Sequence, residues 1–260
     1  MIPKIIHYCW FGGNPKSEII EKCIQSWKQH CPDWEIKEWN ETNFDIASMP
    51  YTQEAYELKK WAFVSDVARL YAVYEEGGIY LDTDVELLQG IDEILSYDAV
   101  FAFETALNIN TGMGFAAQAH HSAVGKMLEC YRDLHFLKKN GKPDLLPCPK
   151  RNTDALKLCY SDFKQTGTTQ VFDGVCVISY DVYAKYAKHH GTMSWLDGKS
   201  IKKKEYKDTR LKRFLRKPEK FTWVEEKLGK KALSVYTFLS YDLLDMGPWF
   251  YIKRKLTRKR

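Results

Sequence analysis

Two carboxylates, Asp82 and Asp84, stand two residues apart at the exit of the apolar run Ile79, Tyr80, Leu81, which Gly77 and Gly78 precede. At period two along a strand they point the same way. Held close together they repel, and a hard divalent cation such as Mn²⁺ or Mg²⁺ relieves the repulsion. Such a cation keeps water ligands and bridges to substrate phosphates, so the pair predicts a metal-bound diphosphate. A bare D-x-D is usually solvated surface, but the apolar strand and double glycine in front of this one argue for a site. Upstream, Asp66 and Arg69 lie at i and i+3 on a helical pattern. On a surface they would be an ion pair worth roughly a few tenths of a kcal/mol. On a helix whose other faces are apolar, they offer a carboxylate and a guanidinium to the hydroxyls of a sugar. Downstream, His189 and His190 offer imidazoles to a metal, and Ser194 and Trp195 a hydroxyl and an indole N–H to phosphate oxygens. Read alone, the histidines are surface residues after a helix. Trp10, beside the Gly12-Gly13 turn, has a face on which a nucleobase can stack, the plain alternative being a core tryptophan.

The elements that must hold these groups are readable from periodicity. Lys4 to Trp10 is β-branched and aromatic and ends in a glycine turn, Ser17 caps a helical stretch with Ile20, Ile24 and Trp27 on one face, and Trp34 to Trp39 alternates as a strand. This β-α-β opening predicts a parallel α/β sheet. From Trp61 to Glu76 the apolar residues recur at three and four, with Gly77 as C-cap. Further strands are predicted at 99–103, 112–116 and 170–179, and helices around 121–138, 153–161 and 181–188, the last ending at the two histidines. There is no internal repeat.

The 260 residues are 45% hydrophobic and 14% aromatic, enough to bury a core. The net charge of +5 is unevenly spread: residues 197–260 carry 20 Lys and Arg against 8 Asp and Glu, leaving 19 against 26 for residues 1–196. The organisation expected is a catalytic domain over 1–198 and a basic, aromatic-containing helical extension over 199–260. The acidic body argues against a nucleic-acid partner. The extension, where Trp249 and Phe250 precede Lys253 and Arg254, suits an anionic membrane surface at about 1 kcal/mol per basic side chain, a solvated tail or an RNA-binding arm being the alternatives. Seven cysteines without a C-x-x-C pair read as reduced thiols. The first residues read as a strand rather than a signal segment, and no apolar run reaches about 18 residues. The location expected is cytoplasmic, peripheral on the inner face of the cell membrane.

Together, Ile6-His7-Tyr8-Cys9-Trp10-Phe11-Gly12-Gly13, Ser65-Asp66-Val67-Ala68-Arg69 with Gly77 to Asp84, and His189-His190 with Ser194-Trp195 resemble glycosyltransferase family 32. This D-x-D group includes fungal initiating α-1,6-mannosyltransferases and bacterial capsule and lipopolysaccharide enzymes, with the clostridial glucosylating toxins as distant relatives. The resemblance implies a GT-A type, Rossmann-like, mostly parallel sheet flanked by helices and a Mn²⁺-dependent transferase, Mg²⁺ being the alternative ion. It implies Asp84 as direct metal ligand, Asp82 reaching the ribose and the metal's water shell, and Asp66 and Arg69 holding the donor sugar. It further implies Tyr80 lining the ribose pocket, Trp10 stacking the base, Asn110 on the donor side, and Ser194 and Trp195 on the diphosphate. His190, five residues before Trp195, matches the remaining metal ligand, with His189 beside it as the alternative.

The function expected is retaining transfer of a hexose from a nucleotide sugar, UDP-galactose or UDP-glucose ahead of GDP-mannose, to a glycan acceptor such as a lipid-linked capsule or lipopolysaccharide oligosaccharide. The acceptor hydroxyl would attack on the leaving group's face, the departing phosphate taking its proton. Two other classes share the features: a haloacid-dehalogenase-like phosphatase, whose D-x-D normally ends the domain's first strand, and a non-catalytic, membrane-associated sugar-binding protein.

Overall fold

The computed structural model describes residues 1–104 and 108–191, all within the unit Met1–Lys199. Ser194, Trp195 and the extension 199–260 lie outside the described residues.

Strand β1 (Ile5–Cys9), helix α1 (Glu18–His30) and strand β2 (Glu35–Trp39) form the opening unit, with β1 and β2 parallel from Ile5 opposite Glu35 to Cys9 opposite Trp39. A short helix, α2 (Pro50–Glu57), leads to α3 (Trp61–Glu76), which runs over the predicted residues and stops at Gly77. Strand β3 (Gly78–Tyr80) joins β1 in parallel, and β4 (Val85–Leu87) follows the D-x-D. After β5 (Ala99–Ala102) and β6 (Phe115–Ala117) come α4 (Ser122–Glu129), α5 (Cys148–Cys159), the hairpin β7 (Gln170–Phe172) and β8 (Val175–Ile178), α6 (Tyr180–Tyr186) and β9 (Ala187–His189). The main sheet has the order β2-β1-β3-β6-β5-β8-β7. Its pairings put β1, β2, β3, β5 and β8 in one direction, with only β6 and β7 reversed. The α/β, mostly parallel sheet is therefore as expected. β4 and β9 form a separate antiparallel pair.

Both faces of the sheet are covered, and the pleat sorts its residues between them. Tyr80, Phe101, Phe115 and Val177 face one core with α3, α4 and α5, whereas Ile79, Val100, Ala116 and Cys176 face the other. The junction between α3 and β3 needs its two glycines. Gly77 (φ 68°) and Gly78 (φ 100°) lie in left-handed backbone, and a Cβ would come within 2.7 Å of Pro3 at the first and 2.6 Å of the Ile5 carbonyl at the second. Buried His7 pins the junction. Its Nδ1 accepts from Trp39 Nε1 at 3.0 Å, so Nε2 carries the proton and donates to the Gly77 carbonyl at 2.7 Å.

Four expectations change. The helix expected over 121–138 ends at Glu129, because Glu54 captures the Leu137 N–H at 2.7 Å and the His135 ring at 2.6 Å, drawing this stretch away from helical pairing. The strand expected over 170–179 is a hairpin turning at Asp173 and Gly174, both at positive φ. Of the stretch 112–116, only Phe115 onward pairs in the sheet. His189 ends strand β9, rather than following a helix that runs to Lys188.

Candidate active site

The carboxyl ends of the parallel strands β1, β3 and β5 share one edge of the sheet, where open α/β folds bind ligands. Chain order places Trp10 after β1, Asp82 and Asp84 after β3, and Glu104 after β5. Helix α3 runs back beside β3 and carries Asp66 and Arg69, both buried, into the same place. Arg69 Nη2 lies 3.1 Å from Asp66 Oδ1 and 3.3 Å from Asp82 Oδ1, its Nε donates to the Ser65 carbonyl at 3.0 Å, and its guanidinium sits 5.0 Å from the centre of the Tyr80 ring. The helical pair is thus a buried bridge from α3 to the D-x-D. Tyr80 lies beneath the site, fully buried, its hydroxyl donating to Asp82 Oδ1 at 2.9 Å. There it orients Asp82.

The pair β4 and β9 sets the other side. Val85 pairs with His189 and Glu86 with Lys188, which carries His189 Nε2 to 3.1 Å from Asp84 Oδ1. Asp82, Asp84 and His189 each offer one ligand atom, all within 4.8 Å of one another. Two carboxylates and an imidazole are a donor set that fits a divalent ion such as Mn²⁺. His190, the residue singled out from the sequence, instead meets Glu86 Oε2 at 2.8 Å, and Glu86 in turn meets Lys22 at 3.0 Å. His190 lies directly opposite Asp84, its N–H donating to the Asp84 carbonyl at 2.9 Å, while its ring turns to Glu86.

Burial sets the electrostatics of the site first. Burial pushes the Asp66 carboxyl up to about 6, against the pull of Arg69 and a hydrogen bond from Cys148. Burial also raises Asp82, Arg69 opposing it and Asp84 adding to it. Burial would lower His189, but the hydrogen bond to Asp84 and the surrounding carboxylates outweigh it and raise the imidazole.

The third contributor is the turn after β5. Asn110 accepts at Oδ1 from the N–H groups of Gly112 (2.8 Å) and Met113 (3.3 Å) and donates from Nδ2 to Glu104 Oε2 at 2.7 Å. The Gly112 carbonyl receives the Asp82 N–H at 3.0 Å. A Cβ on Gly112 would run into the Asp82 carboxylate and come within 2.9 Å of Arg69 Nη1, so only glycine lets this turn close on the D-x-D. Trp10 is half-buried at the same edge, with its Nε1 donating to the Asn14 carbonyl at 2.7 Å and Lys16 Nζ 5.5 Å from its ring.

Residues 17–101, which include α3, β3 and the D-x-D, match the family described as "Glycosyltransferase sugar-binding region containing DXD motif". The chain is 27% identical over 212 residues to inositol phosphoceramide mannosyltransferase 3 of Schizosaccharomyces pombe, a match covering 76% of this chain and 55% of that protein. It thus spans about half the length of the curated relative. Among solved structures, PaToxG glycosyltransferase matches with a TM-score of 0.49 at 19% identity, over 62% of this chain and 70% of that one. A second transferase matches with a TM-score of 0.38 at 12% identity, over 62% and 87%. The resemblance to D-x-D sugar transferases read from the sequence holds.

The sequence reading singled out neither Glu104, Gly112 nor Cys148. Gly112 carried a usable signal, a glycine directly after Asn110-Thr111 and before a strand. Cys148 carried none, since nothing in its neighbourhood announces that it packs against Asp66 and Arg69, with Arg69 Nη1 3.6 Å from its sulfur.

Proposed function

We propose that this chain is a metal-dependent, retaining glycosyltransferase that moves a hexose from a nucleotide sugar to a glycan acceptor. The observation carrying the proposal is the convergence of Asp82, Asp84 and His189 within 4.8 Å, beside the buried Asp66–Arg69 pair. Mn²⁺ bound by those three residues, or Mg²⁺ in its place, would neutralise the diphosphate as its charge grows. Arg69 and Asp66 hold the hexose by its hydroxyls, and Tyr80 keeps Asp82 aimed at the donor. Trp10 stacks the base, Asn110 holds the turn against the donor pocket, and Ser194 and Trp195 bind the diphosphate. The acceptor hydroxyl attacks on the face from which the diphosphate leaves, so an α-linked donor gives an α-linked product.

For the donor, the first sequence block favours UDP-galactose or UDP-glucose, while the fungal relative named a mannosyltransferase supports a mannosyl donor such as GDP-mannose. That relative's name, with its inositol phosphoceramide, also supports an acceptor carried on a lipid, in keeping with a capsule or lipopolysaccharide oligosaccharide. The basic segment 199–260 would then hold the enzyme at the anionic inner face of the cell membrane. No helix among the described residues is long and apolar enough to cross a membrane. A thermal-shift screen of UDP-galactose, UDP-glucose and GDP-mannose with Mn²⁺ tests the proposal. The true donor at 100 times its Kd should stabilise the protein by about 2.7 kcal/mol. No shift with any of them, with or without Mn²⁺, would refute it.

A further inference from the structure

We propose that Cys148 is a positioning residue for the transfer: its sulfur fixes the Nη1 corner of the Arg69 guanidinium and so aims the one N–H left over for the donor hexose. The inference rests on the transferase reading above, in which Arg69 holds the hexose.

Arg69 carries five N–H donors in one rigid plane. Its Nε donates to the Ser65 carbonyl at 3.0 Å, and its Nη2 faces Asp66 at 3.1 Å and Asp82 at 3.3 Å. Among the described residues, Nη1 meets one partner, the Cys148 sulfur at 3.6 Å. Four donors are then engaged, and the second N–H of Nη1 is left for a sugar hydroxyl. Gly112 keeps room beside it, since a Cβ there would come within 2.9 Å of Nη1.

The sulfur is itself held from the far side. Cys148 heads α5 and is buried, and Thr111 Oγ1 donates to its sulfur at 4.0 Å. Thr111, also buried, accepts at 2.8 Å from Nδ2 of Asn152, one turn along α5 from Cys148. Thr153 on the same helix accepts the Ile109 N–H at 3.0 Å. The start of α5 is thus tied to the turn 109–112, whose Gly112 carbonyl receives the Asp82 N–H at 3.0 Å. One turn therefore sets both Cys148, at the Nη1 corner, and Asp82, at the Nη2 corner.

A sulfur suits this position because it accepts only weakly. A carboxylate in its place would compete with Asp82 and with the hexose for the guanidinium, because charge-assisted hydrogen bonds are roughly twice as strong as neutral ones. An apolar side chain would leave the Nη1 corner without an anchor. The cost would fall on the hexose alone, since a nucleoside diphosphate without its sugar makes no use of this donor.

Cys148→Ala removes the acceptor, and Cys148→Val removes it without leaving a cavity, so either variant reports if the other does not fold. Cys148→Ser supplies a hydroxyl that can accept from Nη1 in place of the sulfur. The assay is release of nucleoside diphosphate from UDP-galactose, UDP-glucose or GDP-mannose with Mn²⁺, water serving as acceptor, together with inhibition by free UDP or GDP. The alanine and valine variants should raise the donor KM by about tenfold with kcat within about threefold, while the inhibition constant of the free nucleoside diphosphate stays within about twofold of wild type. Cys148→Ser should bring the donor KM back to within about threefold of wild type. An unchanged donor KM in the apolar variants, an equal weakening of donor and free nucleoside diphosphate, a serine variant as impaired as the alanine one, or failure of both apolar variants to fold would overturn the proposal and leave Cys148 as a packing residue. A wild-type protein that releases no nucleoside diphosphate would refute the transferase reading itself, and this inference with it.

Discussion

Arg69 is the residue on which the donor half of the site turns. It is buried, and it is shared between Asp66 and Asp82, so it joins a helix to the D-x-D through charge. Removing one partner from a buried ionic group leaves the others uncompensated, typically at about 3–5 kcal/mol. Arg69→Ala should therefore lower unfolding free energy by about that much, as well as abolishing activity. Denaturant unfolding checks this, and a loss below about 1 kcal/mol would show the pair to be no stronger than a surface bridge. Asp66 supplies a pH signature. Its folded value is raised to about 6 from an ordinary 3.8, so the folded state binds more protons than the unfolded one between those values. Its contribution is then full below about 4 and is lost as pH rises through about 6. Asp66→Asn removes that titration, so its stability should gain on the wild type across this window. Parallel stability curves for the two proteins would contradict the account.

At the scale of elements, the site was legible wherever a single element carries its own signal. The period of Trp61 to Glu76, the Gly77-Gly78 stop and the apolar Ile79-Tyr80-Leu81 run are local features, and the structure follows them closely. The sequence left the metal histidine between His190 and His189, because its placement is not local. The segment before it looks helical as far as Lys188, yet residues 187–189 leave the helix to pair with β4, which leaves His189 Nε2 beside Asp84 and the His190 ring on Glu86. Glu104 and Asn110 were hard to value for the same reason, since their meaning lies in a turn closing on a strand from another part of the chain. The side-chain geometry makes a prediction: His189→Ala should weaken Mn²⁺ binding by at least about tenfold, as expected for loss of a group engaged with a metal ligand. His190→Ala should leave it within about twofold, since that ring meets Glu86. Calorimetric titration with Mn²⁺ decides between them, and the reverse order would contradict these side-chain placements.

For the whole molecule, the uneven charge of the chain fits the proposed division between an acidic catalytic body and a basic extension. The full chain should pellet with vesicles containing phosphatidylserine but not with phosphatidylcholine vesicles, and salt should release it, because the attraction falls off within a Debye length. Equal binding to both vesicle types, or to neither, would remove the membrane role while leaving the catalytic site untouched. The central claim is that Asp82, Asp84 and His189 hold a divalent ion for splitting a nucleotide sugar. Its most direct test is the release of nucleoside diphosphate from UDP-galactose, UDP-glucose and GDP-mannose by the wild-type chain and by Asp84→Asn, each with Mn²⁺ and with EDTA. The account predicts release by the wild type with Mn²⁺ alone, and none with EDTA or in Asp84→Asn. Release that persists in EDTA or in the variant, or turnover of a simple phosphomonoester in place of the nucleotide sugars, would contradict it.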